Sequence, residues 1–179
     1  MNKEEVLFKE YDTLRAEILT AMTNRNTILT FGLATIGVLY TGAAALTRSS
    51  DYSNLTVLIL TLIAPLICTF ISMIWLGEYE RMRRASKFLI NVERRINEMV
   101  GDRVLTWETS LYENKKHMKY PYNSIIMFLT VLSMFSYTIG LYLFDGSRPL
   151  KITLSILGLG IIIGFCFRMF KKLKKCLDL

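Results

Sequence analysis

Four basic side chains in the middle of the chain have the clearest capacity for binding chemistry: Arg84, Lys87, Arg94 and Arg95. Their spacing places them on one face of a helix, together with Glu80, Asn91 and Glu98. Cations at this density attract anionic ligands, and nucleotides and nucleic acids are the obvious candidates. The simpler alternative is that these residues only form the hydrated face of the helix and approach lipid headgroups. The sequence leaves both interpretations open.

Residues suited to catalysis are scarce. The only histidine, His117, lies in a lysine-rich segment without the pattern of a metallohydrolase, a serine hydrolase or a phosphate-binding loop. The three cysteines, Cys68, Cys166 and Cys176, form no metal-ligand spacing. A nuclease motif with arginine four to six residues before histidine is not matched either, because the nearest upstream arginine is Arg103. We therefore expect no catalytic residue, no metal, no cofactor and no enzymatic activity.

Four stretches of the chain contain no Asp, Glu, Lys, Arg or His, and their lengths decide the class of protein. They are residues 26–47, 52–77, 120–144 and 152–167. A transmembrane helix needs roughly 20 apolar residues, with about 17 as the lower limit. Three stretches meet that length, and the fourth meets it when Lys151 and Arg168 extend their charged ends to the two interfaces. The first stretch follows a charged segment and precedes no cleavage site, so we expect it to be retained as a span.

The positions of the basic residues predict the orientation. Of the 22 Lys and Arg residues, all but Arg48, Arg148 and Lys151 lie before the first span, between the second and third, or after the fourth. By the positive-inside rule, both termini and the middle segment are cytoplasmic. The loops on the other side, 47–54 and 145–151, are too short to form a binding domain.

The predicted fold class is all-α: a polytopic membrane protein with four transmembrane helices and a cytoplasmic helical extension. Its segments are a cytoplasmic amphipathic helix (1–25), transmembrane helices 1 and 2 (26–77), a cytoplasmic helical segment (78–123), transmembrane helices 3 and 4 (124–169) and a basic cytoplasmic tail (170–179). The tail is most simply held by anionic lipids, at about 1 kcal/mol per charge.

Apolar residues at steps of three and four predict that the first two membrane helices continue into the cytoplasm. In the first helix this stripe is Leu7, Tyr11, Leu14, Ile18, Ala21 and Met22. Because no Gly or Pro interrupts it, we expect one continuous helix from about Lys3 to Leu46. After the second span the stripe is Tyr79, Met82, Ser86, Leu89, Val92, Ile96 and Val100. Gly101 then ends the helix.

A shorter helix is expected next, around Trp107, Leu111 and Met118, and Pro121 separates it from the third span.

Small residues recur in the spans at the spacing of helix contacts. Gly160 and Gly164 form a GxxxG motif in the fourth span, and Gly37, Thr41 and Ala45 form a similar row in the first. Such rows let helices approach closely, either within one subunit or between subunits. The sequence does not decide between the two.

Three polar residues, Thr130, Ser133 and Tyr137, share one face of the third span. They either line water or bond to a neighbouring helix. The spans contain no ionisable Asp, Glu, Lys, Arg or His, and this argues against a proton-coupled carrier, which usually keeps such a group near the midplane.

A family resemblance adds to this. The segment 9–18, KEYDTLRAEI, is followed by Arg25-Asn26 and a span rich in small residues, and Trp107-Glu108 follows the charged helix. This arrangement resembles small four-helix membrane effectors and accessories of bacterial antiphage defence, of the Hailong type or associated with CRISPR. The resemblance implies an inner-membrane protein that forms an oligomer and permeabilises the membrane on a cytoplasmic signal. It also implies a co-encoded nucleotidyltransferase or CRISPR effector as a partner.

These observations lead to a hypothesis of a homo-oligomeric pore. One four-helix subunit has no room for a water-filled channel, because its core must be close-packed. The long first helix is the natural gate, and a cyclic or linear oligonucleotide on the four basic residues would act on it. The alternative is a non-conducting scaffold that recruits or regulates a cytoplasmic defence enzyme.

Overall fold

The structure, a computed structural model, describes residues 3–47, 53–113 and 120–178. The helices are α1 (Lys3–Leu46), α2 (Ser53–Leu58), a π-helical turn (Ile59–Ile63), α3 (Ala64–Val100), α4 (Trp107–Glu113), α5 (Tyr120–Leu143) and α6 (Arg148–Asp178). The described residues include no β-strand. Four helical segments are long and apolar enough to cross a membrane: Glu4–Leu46, Asn54–Val100, Ser124–Leu143 and Arg148–Lys171. The all-helical class and the four helices of spanning length are thus confirmed.

The chain forms two compact units, which we name by their composition. The charged unit comprises Met1–Thr27 and Trp75–Pro121. The apolar unit comprises Ile28–Ile74 and Tyr122–Leu179. Both α1 and α3 contribute residues to each unit.

Helix α1 extends from Lys3 to Leu46, as its uninterrupted pattern predicted. In the charged unit its stripe is buried at four positions, Leu7, Tyr11, Ile18 and Ala21, and half-buried at Leu14. The prediction is wrong for Met22, which is 41% exposed. Met22 lies at the edge of the stripe, where the helix surface turns toward solvent.

The second predicted stripe is also largely correct. Tyr79, Met82, Leu89, Val92 and Ile96 are buried on α3, and Ser86 is half-buried. Val100 is 53% exposed because it is the last residue of the helix and has no neighbouring element to cover it.

Helix α3 ends where the sequence predicted. Gly101 adopts a φ of 76°, a left-handed conformation that glycine takes without steric cost. Its N–H donates to the carbonyl of Asn97 at 2.9 Å. The chain can therefore leave the helix axis directly after Val100.

Two connections are shorter than predicted. Helix α2 already begins at Ser53, and α6 begins at Arg148, so Lys151 is helical rather than part of a loop. Pro149 occupies the first turn of α6, a position that proline favours because its missing N–H would have no helical partner there. Helix α6 then continues through the basic tail to Asp178. The predicted short helix is α4, whereas Met118 and His117 lie outside the described residues.

A π-helical turn lies within the second charge-free stretch, and Pro65 explains its position. A proline has no N–H to donate and its ring clashes with the carbonyl one turn earlier. Immediately before it, the N–H of Ala64 donates to the carbonyl of Ile59, five residues back. The wider turn thus accommodates the proline without ending the helix.

Helix α5 packs closely against the π-helical turn. The buried Ser136 hydroxyl of α5 donates to the carbonyl of Leu60 at 2.8 Å. One turn later, a methyl group added at Gly140 would lie 2.6 Å from the Thr61 side chain and 2.9 Å from its backbone nitrogen. A glycine at this position is what permits the contact.

We therefore expect Gly140→Ala to destabilise the protein. Overpacking costs about 1–3 kcal/mol, and the better helix propensity of alanine returns about 1 kcal/mol. The net loss should lower the Tm in detergent by about 2–4 °C. Gly160→Ala is the control, because an added methyl group there meets nothing within 4 Å and should leave the Tm unchanged or higher. Equal Tm values for the two variants would contradict the proposed close contact.

Candidate ligand site in the charged unit

The four predicted ligand-binding residues, Arg84, Lys87, Arg94 and Arg95, are all exposed on α3. None of them forms an ion pair with any described carboxylate. Arg94 makes only a long contact, 3.5 Å from its Nη2 to Oδ1 of Asn91. Their charges are thus available to a ligand on one open face.

An aromatic residue that the sequence analysis did not single out lies on this face. Phe88 is 63% exposed, and it follows Arg84 by one helical turn and precedes Arg95 by two. A signal was present in the sequence, since residues four and seven positions apart share a side of a helix. An apolar residue among charges was easy to assign to the core by its type alone.

The opposite side of the same helix carries a buried carboxylate, Glu93, which is 0% exposed. Its oxygens accept hydrogen bonds from the N–H of Glu108 (3.1 Å), the N–H of Thr109 (3.2 Å) and the hydroxyl of Thr109 (3.0 Å). The first N–H groups of a helix have no partner within the helix, so Glu93 supplies one. Glu93 therefore attaches the start of α4 to α3.

A second carboxyl group, Glu108, is buried beside Glu93 with 9% of its surface exposed. Burial raises the pKa of Glu108, and the negative charge of Glu93 raises it further. A hydrogen bond with Ser86 and the positive charges of Arg83 and Arg15 lower that pKa in part. The balance is a carboxyl group that takes up a proton more readily than an exposed glutamate.

The connection between α3 and α4 is organised by Asn97. Its Nδ2 donates to the carbonyl of Leu105 at 2.7 Å, and its Oδ1 accepts from the N–H groups of Val104 and Leu105 at 3.0 and 2.9 Å. One side chain thus satisfies three backbone groups of a segment without helical hydrogen bonds. The connection is held in a defined conformation.

An open cleft of about 640 Å³ lies beside this connection. Its lining includes the guanidinium groups of Arg94 and Arg103 and the carboxylates of Glu98, Asp102 and Glu113. The volume is in the range of small-molecule sites, but negative side chains outnumber positive ones. Arg94 is the only predicted ligand-binding residue in this lining. The four basic residues therefore share a face and not a pocket.

Contacts between α1 and α3 stabilise the helix that carries this face. The guanidinium carbon of Arg25 lies 5.4 Å from the centre of the Trp75 ring, a cation–π geometry. Trp75 stacks on Tyr79 with ring centres 6.2 Å apart and an angle of 7° between the rings. Nε of Arg81 lies 3.0 Å from Oε1 of Glu17.

The polar residues predicted on the third span are engaged within one chain. The hydroxyl of Thr130 donates to the carbonyl of Ile126 at 2.8 Å, and the hydroxyl of Tyr137 donates to the carbonyl of Leu154 at 2.7 Å. Ser133 is 4% exposed. Thr130 and Ser133 border a cavity of about 20 Å³, room for about one water molecule. Their role in lining a pore stays a prediction.

The glycines predicted to lie at helix contacts behave differently. Gly37, Gly160 and Gly164 are exposed, and a methyl group added at any of them would meet no atom within 4 Å. Within the described part of one chain, no neighbouring helix packs against these three positions. They are accessible to another molecule, either lipid or protein.

The raised pKa of Glu108 predicts a pH dependence of stability. A raised pKa in the folded state means that folding favours the protonated group, so its stabilisation is complete below the ordinary pKa of 4.5. It is lost as the pH rises through the folded value. Glu108→Gln, which is neutral at every pH, should therefore gain stability over the original protein between pH 5 and 8, as measured by thermal unfolding. Glu98→Gln, at an exposed position on α3, should show no such trend. A gain that is equal at pH 4 and pH 8 would contradict the assignment to Glu108.

Comparison of this chain with family models, curated proteins and solved structures finds no match. The residues described above therefore carry the functional assignment: an exposed face with four cations and one aromatic ring on α3, a buried carboxyl pair that attaches α4, and apolar helices of spanning length.

Proposed function

We propose that this chain is a subunit of a homo-oligomeric pore in the bacterial inner membrane, controlled by an anionic ligand on Arg84, Lys87, Arg94 and Arg95. The charged unit and both termini lie in the cytoplasm, on the side that the basic residues favour. Anionic lipids hold the basic end of α6.

The observation that carries the proposal is the outward face of α1 in the apolar unit. Ala34, Gly37, Thr41 and Ala45 recur along that face, and all four are exposed. A surface that faces lipid is normally covered with large apolar side chains. Small residues instead allow another helix backbone to approach.

The exposed surface of α6 provides a comparison within the same chain. Its outward residues include Ile156 and Phe167, each 72% exposed, and Ile161 at 64%. Such side chains suit lipid tails.

Helix α1 also exposes Phe31 (70%) and Val38 (71%), and α6 also exposes Gly160 and Gly164. The support for α1 as the helix that meets other subunits or lines water is therefore the length of its row of small residues, which continues over about three turns.

The hydroxyl groups on α1 suit either of these environments. The hydroxyl of Thr41 donates to the carbonyl of Gly37 at 2.9 Å, and that of Thr35 donates to the carbonyl of Phe31 at 2.8 Å. Because each hydroxyl proton is already hydrogen-bonded within the helix, burying these hydroxyl groups against a second helix costs little. The hydroxyl oxygens can still accept hydrogen bonds from water.

The same helix supplies a means of control. In the charged unit α1 packs through Leu7, Tyr11 and Ile18, and Glu17 contacts Arg81 three residues before Arg84. A ligand that binds the basic face with different affinity in the open and closed states shifts the balance between those states. The continuous helix α1 then carries the change toward the membrane.

The cellular role rests on the resemblance described for the sequence. It supports an effector of antiphage defence whose ligand is a cyclic or linear oligonucleotide made by a co-encoded nucleotidyltransferase, or an accessory that acts with a CRISPR effector. The competing proposal is a non-conducting scaffold. The mixed charges of the 640 Å³ cleft favour that role, because they suit a protein segment better than a polyanion.

Enlarging the small-residue face of α1 tests the pore. Thr41→Leu should weaken subunit association about tenfold, because overpacking a helix contact costs about 1–3 kcal/mol. The measurements are ion flux through protein in liposomes and oligomeric mass in detergent. Met127→Leu, at a residue of α5 that is 61% exposed, should change neither. A protein that stays monomeric and never conducts ions would contradict the pore proposal and leave the scaffold proposal.

Reversing the charge of the ligand face tests the control. Replacing Arg84, Lys87, Arg94 and Arg95 with Glu should abolish any change in flux caused by a panel of cyclic and linear oligonucleotides, while the oligomeric mass is retained. The control reverses the exposed Lys171 and Lys174 of α6 and should keep the response. Loss of assembly in the first variant would instead make the four residues structural.

A further inference from the structure

The ring of Phe88 is mostly exposed within its own subunit. It is 63% exposed on α3, where it borders the stripe of buried residues Leu89, Val92 and Ile96 on one side and the basic residues on the other. Leaving a phenyl ring in water is unfavourable, because apolar surface is stabilised when it is removed from water. A bound partner that covers the ring would recover part of that energy.

The exposed charges within two turns of Phe88 are positive, and the exposed carboxylate of Glu98 lies one turn beyond Arg94. Between residues 84 and 95 the only carboxylate is Glu93, which is 0% exposed and bonded to the start of α4. Arg84, Lys87, Arg94 and Arg95 therefore present four charges with no exposed carboxylate among them. The partner that complements this face is an anion with an apolar surface.

Lipid headgroups do not fit the position of the ring. Phe88 lies eleven residues after Gly77, the last residue of the second charge-free stretch. At about 1.5 Å per residue the ring is roughly 16 Å along the helix from that point. The headgroup layer is only about 5–8 Å thick on each side, and a typical tilt of about 20° shortens the distance little.

We infer that the basic face of α3 binds single-stranded nucleic acid, with one base stacked on Phe88 and adjacent phosphates on Arg84, Lys87 and Arg95. This inference rests on the ligand site of the proposed function and specifies its ligand. Every base has an aromatic face, and aromatic residues between cations are the usual platform for single strands. A duplex keeps its bases stacked within its own helix, and inorganic polyphosphate has no bases. Neither can therefore place a base on the Phe88 ring.

Phe88→Leu is the test, since leucine retains the apolar character and removes the ring. Full-length protein in detergent is titrated into fluorescein-labelled 12-mers of oligodeoxyadenylate and oligodeoxythymidylate, followed by fluorescence anisotropy. Loss of one base–aromatic stack should weaken binding about tenfold. Phe88→Trp should retain the affinity. Polyphosphate should compete with the labelled strand equally well in Phe88→Leu and in the original protein, because the substitution leaves the phosphate contacts unchanged.

Phe70→Leu is the matched control. Phe70 is on the same side of α3, eighteen residues earlier, and is 60% exposed within the charge-free stretch. Its replacement should leave binding unchanged.

Three results would overturn the inference: unchanged single-strand affinity in Phe88→Leu, an equal loss of affinity for polyphosphate, or a loss of oligomeric mass, which would make Phe88 a contact between copies. Binding is measured without ion flux, so its outcome is separate from that of the pore. If binding depends on Phe88 but no ion flux is found, only the pore proposal is contradicted. If a ligand controls ion flux but binding does not depend on the Phe88 ring, only this inference is contradicted.

Discussion

The absence of charged side chains from long stretches is the constraint on which the rest of this structure depends. A helix in hydrocarbon satisfies its own backbone and cannot carry unpaired charges, so each crossing needs about 20 apolar residues. Helices α1 and α3 meet this constraint in their apolar halves. Their other halves follow the pattern of a helix that buries a single stripe. In the charged unit they bury only a stripe, Tyr11 and Ile18 on α1 and Leu89 and Ile96 on α3, and keep charges on the remaining surface.

That division places the charged groups of α3 in two different environments. On the outer surface, Arg84 and Arg95 are exposed and available to a ligand. On the inner surface, Glu93 is buried and its oxygens accept three hydrogen bonds from the start of α4. Because the only carboxylate between residues 84 and 95 is turned inward, the outer surface is positive over this stretch, and the exposed Glu98 lies one turn beyond Arg94. Attachment of α4 and the electrostatics of the basic face thus have a common origin in the register of one helix.

Periodic features of the sequence predicted most of the fold. The bounds of α1, its buried stripe and the end of α3 at Gly101 all follow from helical spacing and one glycine. Edges were less predictable: Met22 and Val100 continue the apolar pattern but are exposed, because burial depends on whether a neighbouring element reaches that far.

The candidate site was predictable only in its charges. Spacing places Arg84, Lys87, Arg94 and Arg95 on one face, but residue type alone suggests that a phenylalanine is buried and a glutamate exposed. Phe88 and Glu93 reverse both expectations because the helix register, and not the residue type, decides which side each occupies. The π-helical turn was missed for a related reason. Pro65 was visible within the second span, yet a proline can either kink a helix or be accommodated by it, and packing of Ser136 and Gly140 accompanies the second outcome here.

The charged unit is built from two segments that are distant in the chain, Met1–Thr27 and Trp75–Pro121, and this has a consequence for biosynthesis. Its first segment leaves the ribosome before the residues that cover it. At about 5–20 residues per second, the 47 residues between the segments take roughly 2–10 s to synthesise. During that interval the apolar side chains of Leu7, Tyr11 and Ile18 have no partner within the chain. Both charge-free stretches of the first half must therefore emerge before this unit can fold, and its nascent helix must be protected from aggregation until they do.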